Sequence, residues 1–121
     1  MIVSQQEIDV FRTVLANRSE YNEALDALDI IAAKKGNLEA AYPALALETD
    51  STRGEFSDKL KKLAQDCWEK CSDQLKKIDR TRLTEASVDA LFHVVLAYAA
   101  HAGITQGVVV AIVFILLKQK F

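Results

Sequence analysis

The longest run of uncharged positions in this chain lies near its C-terminal end, over residues 90–117. Asp89 precedes the run, Lys118 follows it, and its last ten residues are all apolar. Gly103 is suited to the left-handed position that closes a helix, and Thr105 to the cap that opens the next one. The pattern therefore predicts two helices joined by a tight turn, the second of them apolar on all sides.

A helix that is apolar all round lies either at the centre of a bundle or in a membrane. A transmembrane helix requires about 20 mostly apolar residues, and the unbroken run here has ten. We therefore expect the last helix to be buried centrally or at an oligomer contact. The alternative is a membrane-associated protein whose helical hairpin, residues 90–117, inserts in or lies on a bilayer. A β-strand is a third interpretation, because the run is rich in valine and isoleucine, but no convincing strand partner is found elsewhere.

The N-terminal third of the chain predicts two amphipathic helices. Ser4 and Glu7 form a capping-box pattern before a first helix that is expected to end near Asn17. Ser19 is expected to cap a second helix, which Gly36 terminates. Apolar spacing predicts that the buried stripe of the second helix consists of Tyr21, Ala24, Leu25, Leu28, Ile31 and Ala32.

The middle of the chain predicts a short helix, a loop and a long helix. Leu38 begins the short helix, which Pro43 is expected to interrupt or restart. Residues 48–54 are polar and rich in turn formers, so a mobile recognition loop, if the protein has one, is expected there. The long helix is expected to reach Ile78, with a stripe formed by Phe56, Leu60, Leu63, Ala64, Cys67, Cys71, Leu75 and Ile78. After a charged connection at 79–82, Thr84 is expected to cap the fifth helix.

Composition agrees with a globular helical protein. Half of the 121 residues are hydrophobic, about a quarter are charged, and there are only four glycines and one proline. We expect an all-α, single-domain bundle of five or six helices over residues 1–121. No basic segment followed by an apolar segment opens the chain, and the two cysteines do not indicate a disulfide scaffold, so a cytoplasmic location is expected.

Charge is distributed unevenly. Residues 1–52 hold four basic and nine acidic side chains, whereas residues 53–85 hold nine basic and seven acidic ones. A nucleic-acid-binding domain usually shows a clear basic excess, and this chain has a net charge of −2, so no nucleic-acid partner is expected. An acidic face of one copy could instead meet a basic face of another. The candidate interaction surface consists of Glu23, Asp26, Asp29, Lys61, Lys62, Lys70 and Trp68.

Metal and cofactor sites are not indicated. Cys67 and Cys71 share a helix face and could supply half of a zinc site, but thiolates need two further ligands. His93 and His101, the two histidines of the chain, are eight residues apart and do not easily close one site with them. Two buried structural cysteines are therefore the preferred interpretation, and no cofactor is expected.

Catalysis has little support in the sequence. Asp89 and His93 are one helical turn apart, a spacing that could orient an imidazole as a general base. The nucleophile would have to be Ser87 or a cysteine, and no phosphate-binding loop, nucleophile elbow or Glu-x-x-His pair is present. We therefore expect a non-enzymatic protein in which Asp89 is only a local partner of His93.

Residues 25–28 followed by 36–41 form a helix–glycine–helix step. Together with six predicted helices in about 120 residues, the lack of a catalytic constellation and the opposed charge patches, this step resembles the death-fold-type adaptor modules, including the small bacterial effector-associated or death-like domains. The resemblance implies homotypic or adaptor binding through charged helix faces, and it assigns no individual binding residue. The long fourth helix and the apolar last helix depart from the family's pattern. The sequence thus predicts a protein–protein interaction module that is able to form homo-oligomers, with the membrane-associated protein as the alternative.

Overall fold

The computed structural model describes residues 2–16, 18–45, 53–79 and 83–118, and over 53–58 it describes the backbone alone. The described residues form an all-helical bundle. Its helices are α1 (Gln5–Leu15), α2 (Asn22–Ala33), α3 (Leu38–Leu45), α4 (Arg53–Leu75), α5 (Glu85–Ala102) and α6 (Gln106–Lys118), with one 3₁₀ turn at Ser19–Tyr21. The predicted fold class is confirmed.

α6 is the central element of the fold. All ten residues from Gly107 to Leu116 are buried, and α6 packs against α2, α3, α4 and α5. The other five helices form a closed ring around it, in which α1 contacts α2, α2 contacts α3, α3 contacts α4, α4 contacts α5, and α5 contacts α1. Burial on every side explains why valine and isoleucine are helical here although their intrinsic helix propensity is modest. The strand interpretation was therefore wrong.

The helix ends show which local signals were sufficient. Ser4 caps α1 through the predicted capping box, because its hydroxyl accepts from the Glu7 amide and the Glu7 carboxylate accepts from the Ser4 amide. Thr84 caps α5, because its hydroxyl accepts from the Ser87 amide. Gly103 closes α5 with a φ of 70°, and the Thr105 hydroxyl accepts from the Val108 amide at the start of α6. These four predictions are confirmed.

The predicted cap of α2 was wrong. Ser19 lies in the 3₁₀ turn, and α2 begins at Asn22 without a side-chain cap from the preceding residue. The Ala24 amide, in the first turn of α2, instead donates to the side-chain oxygen of Gln106, and the Gln106 amide group donates to the Glu20 carbonyl. The side chain of Gln106, at the start of α6, thus provides the hydrogen-bond acceptor for a free backbone amide in the first turn of α2. Buried positions in α2 are Ala24, Ala27, Leu28 and Ile31, and Tyr21, Leu25 and Ala32 are half-buried around them.

Three further boundaries differ from the prediction. α3 continues through Pro43 to Leu45, because Leu45 is buried and its carbonyl accepts the Thr105 hydroxyl. α4 begins at Arg53, so the last two residues of the predicted 48–54 loop are helical. It ends at Leu75 rather than Ile78. Asn17, the remainder of that loop and the connection 80–82 lie outside the described residues, as does the side chain of Phe56.

An aromatic cluster joins α1, α5 and α6 at the core. The ring of Phe11 lies edge-on to Phe92 at 5.6 Å and to Phe114 at 5.3 Å between centroids. Tyr21 adds a further edge-on contact with Phe92 at 4.9 Å. Such pairs stabilise a core by roughly 0.5–1.5 kcal/mol each beyond their burial. The cluster fixes α1, which does not flank α6 as extensively as the other helices do, onto the central helix.

Lys118 also links the end of α6 to the start of α1, because its ammonium lies 2.9 Å from the Glu7 carboxylate. Burial would by itself raise the pKa of Glu7, but the hydrogen bonds from Lys118 and from the amide and hydroxyl of Ser4 lower it below 4.5 overall. A carboxyl with a lowered pKa in the folded state stabilises the fold above its unfolded pKa and loses that contribution as the pH falls.

We therefore expect Glu7→Gln to reduce the free energy of unfolding by about 1 kcal/mol at pH 7. The difference from the wild type should shrink as the pH falls below about 4, where the wild-type carboxyl also becomes neutral. Urea unfolding followed by circular dichroism between pH 7 and pH 3 measures it. Glu20→Gln, at an exposed glutamate, is the matched control and should follow the wild type throughout. A deficit for Glu7→Gln that stays constant with pH would contradict the role of the ionised carboxylate.

Candidate interaction surface

The three acidic residues proposed on α2 do not share one environment. Asp29 faces α1 and pairs with Arg12 at 2.9 Å. Glu23 and Asp26 are both exposed and, within the described part of the chain, have no ion-pair partner. Their three-residue spacing places both on the flank of α2 that is next to α3. Glu23 and Asp26 are therefore the acidic pair that is available to a partner.

A pocket of about 230 Å³ lies beside this acidic pair. Ala27 and Ile30 of α2, Ala44 and Leu45 of α3, and Thr105 and Gly107 at the start of α6 complete its lining. The walls are mostly apolar, and Glu23 and Asp26 bring carboxylates to them. Gly107 permits the close packing at its base, because an added Cβ there would lie 2.9 Å from the Leu45 carbonyl oxygen. We call this the α2–α3 pocket.

The basic residues proposed on α4 also divide into two sets. Lys70 is paired, since its ammonium lies 3.3 Å from Asp66 and 6.0 Å from the ring centroid of Tyr98. Lys61 and Lys62 are exposed and have no ion-pair partner among the described residues. Leu60 and Ala64 are buried, and Lys62 lies two residues from each of them. Two residues correspond to about 200° around a helix, so Lys62 lies about opposite the buried stripe of α4. We call Lys61 and Lys62 the basic pair.

Trp68 is half-buried against the core at the edge of the α4 stripe. It lies seven residues after Lys61, which on a helix is two turns along the same flank. At 1.5 Å per residue the two side chains are separated by roughly 10 Å along the helix. The surface of α4 thus presents two cations and, two turns further along, the half-buried side chain of Trp68.

The acidic pair and the basic pair lie on different sides of the molecule. In the ring around α6, α2 and α4 are separated by α3 on one side and by α1 and α5 on the other. Opposite charges that are both exposed and both unpaired are therefore held apart within one chain.

A second polar group lies where the first half of α5 meets the segment that joins α1 to α2. Asp89 is 3.2 Å from Arg18 and 3.3 Å from the Nδ1 atom of His93, and the ring of Tyr21 lies edge-on to His93. The predicted local pairing of Asp89 with His93 is confirmed. A shallow hollow beside them, lined by Thr13, Val14, Arg18, Glu85, Ala86 and Asp89, is more open than the α2–α3 pocket.

Ser87 and Cys67, two of the candidate nucleophiles, lie in structural environments. Ser87 donates to the carbonyl of Asp79 and accepts from Thr84, and it is buried. Burial, together with neighbouring Cys71, raises the pKa of the Cys67 thiol to about 12. A thiol that is protonated at neutral pH is a poor nucleophile and a poor metal ligand. These contacts provide structural roles for the residues that a catalytic hypothesis would use.

The two cysteines differ in burial. Cys67 is buried as predicted, but Cys71 is half-buried, so the prediction of two buried cysteines was wrong for the second. Cys71 lies where the backbone of α4 departs from helical geometry, with φ −115° and ψ 17°. This break tilts the last turn of α4. Within the described residues, no group of three or more His, Cys, Asp or Glu side chains is placed to hold a metal ion.

Neighbouring Tyr98 and Asp66 form a further contact between α5 and α4. Burial and the hydrogen bond that Tyr98 donates to Asp66 both raise the pKa of the phenol. The same hydrogen bond, followed by that of Lys70, lowers the pKa of Asp66. Lys70 is thereby held against its own chain, which explains why it does not extend the basic pair.

Comparison with known proteins assigns no relative: no protein-family model matches the chain, and no curated protein or solved structure is significantly similar to it. In the described part of the chain, no helix combines the length and the apolar character needed to span a bilayer. The function must therefore be argued from the surface of this chain.

Sequence reasoning identified the charged residues but missed the α2–α3 pocket. Ala44 lies after Pro43, where the third helix was expected to break, and Gln106 carries no capping signature. The spacing of Glu23, Asp26 and Ile30 does place all three on one helix flank. That spacing was the one local signal that a carboxylate pair adjoins an apolar position.

Proposed function

We propose that this protein is a non-catalytic interaction module that associates with further copies of itself. The acidic pair Glu23–Asp26 of one copy binds the basic pair Lys61–Lys62 of the next. The observation that carries the proposal is the placement of two unpaired, opposite charge pairs on different sides of one ring of helices. The resemblance to death-fold-type adaptors belongs to the same proposal, since those modules bind through charged helix faces.

The geometry of such a contact determines the form of the assembly. Each copy would use two different surfaces, so the contact is heterologous and leaves one acidic and one basic pair free at the two ends. Heterologous contacts build rings if the rotation closes and open filaments if it does not. A closed two-fold dimer would require both pairs to lie on one self-complementary surface, whereas α2 and α4 are separated in the ring of helices.

Charge alone supports only a modest affinity. Exposed ion pairs stabilise by about 0.2–1 kcal/mol each and are screened by salt. Two such pairs predict weak, concentration-dependent association at low ionic strength, which should decrease when the screening length falls from about 10 Å at 0.1 M salt to about 3 Å at 1 M. Steering by complementary charge would mainly raise the association rate and select the correct partner face.

The test uses two neutralised variants. Glu23→Gln/Asp26→Asn removes the acidic pair, and Lys61→Gln/Lys62→Gln removes the basic pair. We expect the wild type to grow beyond a dimer with concentration at low salt, each variant alone to remain monomeric, and an equimolar mixture to stop at two chains, because only one contact can then form. Sedimentation velocity at 0.05 M and 0.5 M salt measures the masses.

The matched control is Asp29→Asn/Lys70→Gln, which also removes two charges, one of each sign, at positions that already have partners within the chain. This control should associate as the wild type does. A wild type that stays monomeric up to millimolar concentration at low salt would refute the proposal. So would neutralised variants that assemble like the wild type, because their association would not depend on these charges.

A further inference from the structure

The α2–α3 pocket has a combination of features that suits one kind of side chain. Its walls are apolar, from Ala27, Ile30, Ala44 and Leu45, and the carboxylates of Glu23 and Asp26 stand at its edge. A lysine has an apolar four-carbon stem and a cationic end, and it can bury the stem while the ammonium stays at the wet edge. The apolar stem of a lysine would pack against the apolar walls, and its ammonium would pair with the carboxylates.

The size of the pocket agrees with a single side chain rather than a small molecule. At about 230 Å³ it is smaller than the roughly 300–1,000 Å³ that is typical of small-molecule sites. Protein interfaces characteristically place one anchor side chain in a pocket of this kind at the centre of the contact. The dimensions therefore favour a residue that projects from the surface of a protein partner.

Helix dipoles at the pocket do not oppose a cation. α3 ends at Leu45, so the negative end of its helix dipole adjoins the pocket. α6 begins beside it, so the positive end of the α6 dipole also adjoins the pocket. Thr105 occupies this junction, since its hydroxyl accepts from the Val108 amide and donates to the Leu45 carbonyl. The two helix ends offset each other, and the two carboxylates decide the sign of the field.

From these observations we infer that the α2–α3 pocket receives the side chain of Lys62 from a second copy of this chain. Lys62 projects about opposite the buried stripe of α4, so its side chain points away from the core of its own chain. It has no ion-pair partner among the described residues. Lys61 lies one residue away, closer to the flank of α4, and would meet the carboxylates from outside the pocket. This inference rests on the proposed function and specifies the residue that anchors it.

The test measures the affinity of the single contact in the mixed pair described above. The pocket is carried by the Lys61→Gln/Lys62→Gln chain, and the basic pair by the Glu23→Gln/Asp26→Asn chain. Ala44→Phe, placed on the first chain, fills the pocket from an exposed position without changing any charge. We expect it to raise the dissociation constant by about tenfold or more, as the loss of a buried anchor does. Ala86→Phe, in the other hollow, is the control and should leave the constant within about twofold of the parent pair.

A second measurement compares the two lysines, placed on the other chain. Lys62→Ala should weaken the contact about tenfold, whereas Lys61→Ala should weaken it by less than about threefold, as an exposed charge does. A contact made by charge alone would lose similar affinity in both cases, because the two residues carry equal charge. This comparison decides the question even if Ala44→Phe impairs folding.

The outcomes separate the pocket from the proposed function. Equal losses of affinity for the two lysine variants, with no effect of Ala44→Phe, would overturn the inference that the pocket receives Lys62. The charge-paired contact of the proposed function would still stand. If the wild type did not associate at all, the inference that a second copy of this chain occupies the pocket would be wrong. In that case, n-butylammonium serves as a probe: shifts of the Ala27, Ala44 and Gly107 amide resonances on titration would assign the pocket to a lysine of a different protein. Unshifted resonances would also overturn its complementarity to lysine.

Discussion

Val110→Asp is expected to abolish the folded state. Val110 lies in the middle of α6 with no exposed surface, and ten consecutive residues around it are enclosed by the ring of helices. A buried carboxylate without a partner costs several kcal/mol, which is comparable with the roughly 5–15 kcal/mol by which a domain of this size is stable. Circular dichroism should show lost helix content and no cooperative thermal transition.

Ala97→Asp provides the matched control, because it adds the same charge at an exposed position of α5. This variant should unfold cooperatively near the wild-type temperature. The experiment also tests the membrane-associated alternative, in which residues 90–117 face lipid. That alternative predicts that Val110→Asp leaves a folded protein that no longer binds bilayers. A folded, cooperative Val110→Asp chain would therefore contradict the central position of α6.

Gly36→Ala is expected to be the most damaging of the glycine substitutions with positive φ. Gly36 has a φ of 82°, and an added Cβ would lie 2.0 Å from the carbonyl oxygen of Val3. The Val3 amide donates to the Gly36 carbonyl at 2.8 Å, and Ile2 pairs with Asn37 in an isolated bridge. The methyl group would displace this N-terminal segment, so we expect a loss of at least about 3 kcal/mol, from backbone strain and the broken contact together.

Gly103→Ala isolates the backbone strain from the steric contact. Gly103 has a similar φ of 70°, but nothing lies within 4 Å of an added Cβ. It should lose only the roughly 1–2 kcal/mol that a left-handed conformation costs an alanine. Urea midpoints at a constant slope give both values. Equal losses for the two variants would show that the contact between Gly36 and Val3 contributes little.

Local sequence signals were sufficient where both partners of an interaction lie within one helical turn. The capping box at Ser4 and the cap at Thr84 are interactions of this kind, and so is the pairing of Asp89 with His93. The apolar run at residues 108–117 was sufficient for a different reason: a helix with no polar side must be covered everywhere. Hydrophobicity predicted that this helix is covered, either centrally or at an oligomer contact, and the ring of helices decided for the central position.

Local signals failed where the partner came from a distant part of the chain. Ser19 has the composition of a cap, but the first turn of α2 bonds instead to Gln106, 82 residues beyond Ala24. Pro43 normally ends a helix, yet burial of Leu45 and its hydrogen bond from Thr105 carry α3 past it. In both cases tertiary packing outweighed a local preference of about 1–3 kcal/mol.

The sequence by itself determined that this protein is a bundle of helices around one apolar helix, because periodicity and hydrophobicity act along each segment separately. It also supplied the charges of the candidate surface. Only the tertiary structure decided which charges remain available, since Arg12 pairs with Asp29, and Asp66 and Tyr98 hold Lys70. It also decided that Glu23 and Asp26 border a pocket on a different side of the ring from Lys61 and Lys62. Pairing and separation depend on the order of helices around α6, and no single segment encodes that order.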